Sequence, residues 1–306
     1  VDITANHLDI TRALMMVGYP SHRAAVARVG RWRARMLHAL AHGYLDASLR
    51  TTPYFRNLEQ SERAATCFLL GQALTLWFAQ EHMHLDRLIH VDGCGAHWKL
   101  TGKGAVGKSG AGPLKPGGRP DFLGIGLGEH HVFETKGRTR RVYGKLMATA
   151  LAQASMLATI NGRPPDTRVA ACFVFRADGV EGQVQDPPAA PDALDLTFDE
   201  AAALRKAYAF FLHPGFRKVA TLDVPGFLTT DLGDGIRFGI DEALYQKLAD
   251  GPGGAEKGEG IEPILATLAE RRAFYRQRRT EDTSVGNDGT LLQDPATPRR
   301  RRRRLF

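Results

Sequence analysis

The sequence predicts a mixed α/β protein in which an α/β core sits between a helical N-terminal region and a smaller C-terminal region. Three observations predict this. Apolar residues recur at three- and four-residue steps over 10 to 48, the mark of amphipathic helices. Two short strand-like runs, 119 to 125 and 131 to 136, flank Gly126 and Gly128, which is hairpin spelling. A helical period over 142 to 160 is then followed by the apolar run 169 to 175, which reads as a buried strand.

Taken in order, Leu14, Met15 and Val17 belong to a short helix broken at Gly18-Tyr19-Pro20. A longer helix over 21 to 47 follows, with Trp32, Met36, Leu37 and Leu40 on its apolar face and Arg23, Arg28, Arg31 and Arg35 largely off it. A second long helix spans 61 to 84, with Ser61 as its cap and Phe68, Leu70, Leu74, Trp77 and Phe78 as a wide stripe. It feeds a short strand over 87 to 91, and the Gly-, Pro- and Lys-rich stretch 101 to 119 reads as a loop. After the hairpin, the helix over 142 to 160 stops at Asn161-Gly162 and Pro164. A Pro/Ala linker at 187 to 191 precedes Thr197-Phe198-Asp199-Glu200, a capping-box spelling that opens a helix to about 212. Short strands over 218 to 240, a glycine-rich spacer at 251 to 260 and a helix over 261 to 278 complete the pattern. From 280 onward the composition reads as disordered. The expected division is therefore a helical region at 1–60, a core at 61–186, an α+β region at 192–279 and a disordered basic tail at 280–306.

With 43% hydrophobic and 24% charged residues, the chain is neither collagen-like, wholly disordered nor a disulfide scaffold. Cys67, Cys94 and Cys172 are too few and too scattered for a disulfide framework and agree with a reducing compartment. The longest apolar run, 68 to 79, includes Gln72 and Thr75 and is too short to cross a bilayer of roughly 30 Å. The first residues place acids ahead of their apolar part and show no small-residue cleavage site, so a cytoplasmic location is expected. Six consecutive arginines, Arg299 to Arg304, supply most of the formal charge of +8. Within the rest, residues 99 to 145 hold ten Lys or Arg against three acids. Such a local field favours a polyanionic partner, for which nucleic acid is the natural reading.

The chemistry concentrates in GRPDFLGIGLGEHHVFETKGR, 118 to 138. With the turn at Leu127 and Gly128, Asp121 stands opposite Glu134, their Cβ atoms about 5 Å apart. A register shifted by one residue on each side puts Asp121 opposite Lys136 instead, and Glu134 and Lys136 share a face either way. Two adjacent carboxylates raise one another's pKa, and a divalent cation removes that penalty. Mg²⁺ suits a site of one or two carboxylates plus waters, polarises a phosphoryl oxygen and acidifies a bound water, while a lysine orients that water or stabilises developing charge.

Pro120-Asp121, twelve intervening residues, then Glu134-Thr135-Lys136 on an apolar strand resembles the PD-(D/E)XK nuclease superfamily, the restriction-endonuclease-like fold. The helix, hairpin, helix and strand around it follow the same order, over about 60 to 176. The resemblance implies a central mixed sheet flanked by helices, Asp121 and Glu134 as metal ligands with the Thr135 carbonyl as a third, and Lys136 as the catalytic lysine. It further implies Mg²⁺, or Mn²⁺ in its place, DNA as substrate, and by extension restriction or defence against foreign DNA; double-strand cleavage would call for a homodimer. Many members carry an acid on the first helix, for which Glu62 is the candidate, and a glutamine on the later helix, where Gln153 stands. Arg138, Arg140, Arg141 and Lys145 follow the acidic strand and are the expected phosphate contacts.

Gly102 to Ser109 also spells the Walker A pattern, but Gly110, Gly112, Pro113 and Pro116 follow where that loop needs a helix, so a P-loop hydrolase is the weakest reading. His90, Cys94 and His97, or His82, His84 and Asp86, lack four ligands at a zinc spacing. The arginine tail adds salt-sensitive affinity for nucleic acid. The alternative to catalysis is a nucleic-acid-binding protein of the same fold, and the sequence does not separate DNA from RNA.

Overall fold

A computed structural model describes residues 5–17, 23–91, 99–102, 119–141, 144–249 and 260–296. In chain order its elements begin with helices α1 (His7–Met16), α2 (Arg23–Tyr44), α3 (Pro53–Arg56) and α4 (Gln60–His82). Strands β1 (Arg87–His90), β2 (Lys99–Thr101), β3 (Phe122–Gly126) and β4 (Glu129–Arg138) follow, then α5 (Gly144–Ala154), β5 (Leu157–Ile160), β6 (Thr167–Phe175), β7 (Val180–Gln185) and β8 (Leu194–Thr197). The remainder comprises α6 (Glu200–Ala207), α7 (Ala209–Leu212), α8 (Pro214–Val219), β9 (Thr221–Val224), β10 (Phe227–Gly233), β11 (Ile236–Asp241), α9 (Glu242–Ala249), α10 (Glu262–Gln277), β12 (Thr283–Val285) and β13 (Thr290–Gln293).

The first sheet has the order β1-β3-β4-β6-β7. All its pairings are antiparallel except β4 with β6, which run parallel because α5 carries the chain back between them. The hairpin adopts the first of the two registers read from the sequence: Phe122 pairs with Phe133 and Gly126 with Glu129. Gly128, at φ +77°, closes its two-residue turn in a conformation that disfavours side chains.

Helix α4 lies against β4 with backbones nearly touching. A Cβ built on Gly137 would stand 1.8 Å from the Cys67 carbonyl oxygen, so only glycine permits this approach. The Thr75 hydroxyl meets that of Thr135 at 2.7 Å on the same face. The opposite face of β4 and β6 receives α5, whose Met147, Ala150 and Ala154 pack with Ala170 and Cys172. Small residues there keep the helix close to the sheet.

Several boundaries differ from the sequence reading. Glu59, not Ser61, caps α4, its carboxylate accepting from the Ser61 and Glu62 amides. The helix expected to reach 160 ends at Ala154, and Leu157–Ile160 becomes a strand of a small sheet ordered β2-β8-β5. Asp199 rather than Thr197 caps α6, which breaks at Tyr208 instead of running to 212.

The largest correction concerns the segment from 280. Instead of being disordered, β12 and β13 fold into a second, antiparallel sheet ordered β12-β13-β11-β10-β9, and Val285, Leu291 and Leu292 are fully buried. Helix α1 is buried nearly all round between this sheet and α4. Residues from the expected regions 1–60, 61–186 and 192–279 all contribute to one hydrophobic core cluster. Arg12 on α1 and Arg87 on β1 both bind the fully buried Asp288, at 3.1 and 2.8 Å. Residues 297 to 306, with the arginine tail, lie outside the described residues. Among the described residues no helix is long and apolar enough to cross a membrane.

Candidate active site

Asp121 precedes β3, with its backbone amide donating to the Phe133 carbonyl at 3.0 Å. It thereby extends the hairpin pairing to the level of Glu134. Its carboxylate is fixed from across the hairpin, since the Thr135 amide donates to Asp121 Oδ2 at 2.9 Å. Strand alternation turns the Thr135 side chain toward α4 and Glu134 and Lys136 toward the α5 face. Across the parallel register Glu134 neighbours Ala170 and Lys136 neighbours Cys172. Asp121, Glu134, Lys136 and the backbone of Thr135 are thus brought together.

Glu134 is fully buried. Lys136 Nζ donates to its Oε1, while Oε2 is buried with no hydrogen-bond partner. Burial, reinforced by the charge of Asp121, pushes the Glu134 carboxyl up to about 8 against the opposing pull of Lys136. Burial also raises Asp121, offset in part by the Thr135 amide and the positive charge of Lys136. A buried oxygen without a partner and two carboxyls both resisting ionisation form an arrangement that a bound cation would relieve. The donor set, carboxylate oxygens beside a backbone segment, fits a hard cation such as Mg²⁺.

The basic residues expected around this pair divide. Arg138, Arg140, Arg141 and Lys145 are all exposed, on the end of β4 and the start of α5. Gln153 is drawn in from α5: its amide donates to the Arg119 carbonyl at 3.3 Å and so braces the chain just before Pro120-Asp121. Glu62 is exposed and takes its hydrogen bond from the Tyr44 hydroxyl rather than approaching the pair.

His90 was legible only as a member of a zinc set. In the structure it pairs with Phe122 across β1 and β3, where it and Arg119 partly offset the burial that raises Asp121. The signal was its position at the end of a strand, but the pairing of β1 with β3 spans a long insertion. Its supposed companions Cys94 and His97 lie outside the described residues, as does the Walker-like string beyond Gly102. In the other zinc set, Asp86 is engaged by Arg272 at 2.7 Å and His82 meets Trp77 edge-on with Phe78 tilted beside it. Cys67 and Cys172 are buried, and burial pushes both thiols up to about 11, away from the thiolate form.

A scan of protein-family models, a search of curated proteins and a search of solved structures each returned no match to this chain.

Proposed function

We propose that the chain is a Mg²⁺-dependent deoxyribonuclease with a restriction-endonuclease-like core, hydrolysing phosphodiester bonds at Asp121, Glu134 and Lys136. The observation that carries the reading is the buried Glu134, with an unpartnered oxygen, a second carboxylate beside it and a lysine on the same face. The sheet order, with an antiparallel hairpin followed by a parallel strand beyond a crossover helix, supports it. Asp121, Glu134 and the Thr135 carbonyl would hold the cation. Bound there, it supplies Lewis acidity toward a phosphoryl oxygen and a lowered pKa for its water.

The residues of the chain do the rest. The Thr135 amide holds Asp121 in one orientation, and Gln153 fixes the turn that presents it. Lys136 places a positive charge beside Glu134, where it orients the attacking water and stabilises charge on the phosphate. Arg138, Arg140, Arg141 and Lys145 contact neighbouring phosphates and set the register of the nucleic acid. A purely binding role fits less well, since buried carboxylates repel phosphate and weaken such a surface.

The test is incubation with supercoiled plasmid, linear duplex, single-stranded DNA and RNA, in Mg²⁺ or EDTA, beside Glu134→Ala and Lys136→Ala. Cleavage should require metal and fall at least about 100-fold in both variants, a loss of ~2.7 kcal/mol of transition-state stabilisation. Cleavage undiminished in both variants would overturn the assignment. Salt-sensitive binding without cleavage in any of these conditions would favour the binding protein.

A further inference from the structure

A second cluster of ligand-type side chains lies away from the carboxylate pair, where α2 meets the end of the second sheet. His38 and His42 stand one turn apart on α2, so their rings project from the same side and stack at 4.2 Å between centroids. Both Nε2 atoms point at one oxygen, Asp294 Oδ2, at 2.9 and 3.0 Å. Asp294 follows β13 directly and is buried, and its Oδ1 accepts from the Ala296 amide at 2.8 Å, which fixes the carboxylate plane. His38 Nε2 hydrogen-bonds to Oδ2. His42 Nε2 is buried and lies 3.0 Å from the same oxygen without a hydrogen bond that meets normal geometry.

We propose that His38, His42 and Asp294 bind a divalent first-row transition-metal cation, Zn²⁺ in the first instance, which clips α2 to the second sheet. The ligand atoms all lie within 4.8 Å of one another, so a slight opening admits a cation with bonds of about 2.0–2.2 Å. Two imidazoles and one carboxylate select a borderline cation over Mg²⁺ or Ca²⁺, which prefer oxygen throughout. His7 completes the wall without being a ligand. Its ring meets His42 edge-on at 4.8 Å, while its own nitrogens face the Ala41 carbonyl at 3.2 Å and the Thr11 hydroxyl at 3.4 Å. A water would complete the four-coordinate set.

This site stands independently of the nuclease reading, because the two clusters take cations of different hardness. The test strips the full-length chain with EDTA and titrates it with Zn²⁺ alone by calorimetry, in the wild type and in Glu134→Gln. One equivalent should bind with Kd below about 1 μM in both. His38→Gln, His42→Gln and Asp294→Asn should each weaken binding at least tenfold while Glu134→Gln does not. Zn²⁺ should raise the Tm of the wild type but not of the three variants, whose circular dichroism reports whether they fold. Should one of them fail to fold, Co²⁺ bound to the wild type should give the absorption bands of a tetrahedral nitrogen and oxygen site. Failure to bind one equivalent of Zn²⁺, binding undiminished in folded variants, or loss only in Glu134→Gln would overturn the proposal.

Discussion

Asp288 and Glu134 are both fully buried carboxylates, yet the protein treats them in opposite ways. Asp288 meets Arg12 on one oxygen and Arg87 on the other, and Thr290 donates to it through both amide and hydroxyl. Burial alone would raise its pKa, but the two guanidinium groups outweigh it and hold the carboxyl below the usual range. Arg12 is itself satisfied by Ser284, Thr290 and Gln80, and Arg87 lies over the Tyr208 ring while donating to the Met16 and Ala207 carbonyls. Glu134 has one lysine, one orphaned oxygen and a second carboxylate beside it, and its pKa rises. The difference separates a carboxylate whose charge the chain itself compensates from one that stays under-compensated. An orphaned oxygen alone does not mark a site, since buried Asp86 has one too; at Glu134 it coincides with a second acid and a lysine on one face.

The comparison breaks most sharply at Asp288. Asp288→Asn leaves two arginines buried without a counter-charge and should lower unfolding free energy by about 3–5 kcal/mol, read by urea denaturation. A loss below about 1 kcal/mol would mean that the network does not join α1, β1 and the second sheet as described.

Glu134→Gln should act in the other direction. Glu134 has a pKa of about 8 in the metal-free fold against an ordinary 4.5, so between those values the folded chain holds a proton that the unfolded chain releases. Its contribution to stability is therefore complete below about pH 4.5 and is lost as pH rises toward 8, with a slope of at most about 1.4 kcal/mol per pH unit. In EDTA, the wild type should lose stability over this window relative to Glu134→Gln, and Mg²⁺ should shrink the difference. Parallel pH profiles for the two proteins would show that Glu134 is already compensated.

The smallest effect belongs to the exposed cations. Replacing Arg138, Arg140, Arg141 and Lys145 singly by Ala should leave Tm unchanged and weaken duplex binding by a similar modest factor for any sequence. Each should reduce the slope of log K against log salt by about 0.9. A change confined to one sequence would instead assign that residue to base readout.

Legibility followed the range of the interactions. The hairpin was readable because its two strands adjoin in sequence, which narrowed Asp121 to a place opposite Glu134 or Lys136 from their numbers alone, and the structure chose the first. The helix ending at Ala154 was overrun because Leu157–Ile160 is apolar enough to continue it, and only pairing with Leu194–Thr197 makes it a strand. The segment after 280 looked disordered because β12 and β13 are short and the stretch around them carries Ser284, Asn287, Asp288 and Asp294 among few apolar residues. Those polar residues are buried by partners more than 200 positions away: Gln80 and Arg87 on the α4–β1 unit and Arg12 on α1.

By itself, then, the sequence determined the mixed α/β class, the local periods of its helices and the acid, acid and lysine constellation of one hairpin. Each of these depends on neighbours within a few tens of residues. Only the tertiary structure decided which carboxylates are compensated, that the C-terminal strands close the core, and that His38, His42 and Asp294 meet. Those outcomes depend on long-range packing, which removes water from a polar group and chooses its partner at the same time, and no local pattern in the chain encodes that choice.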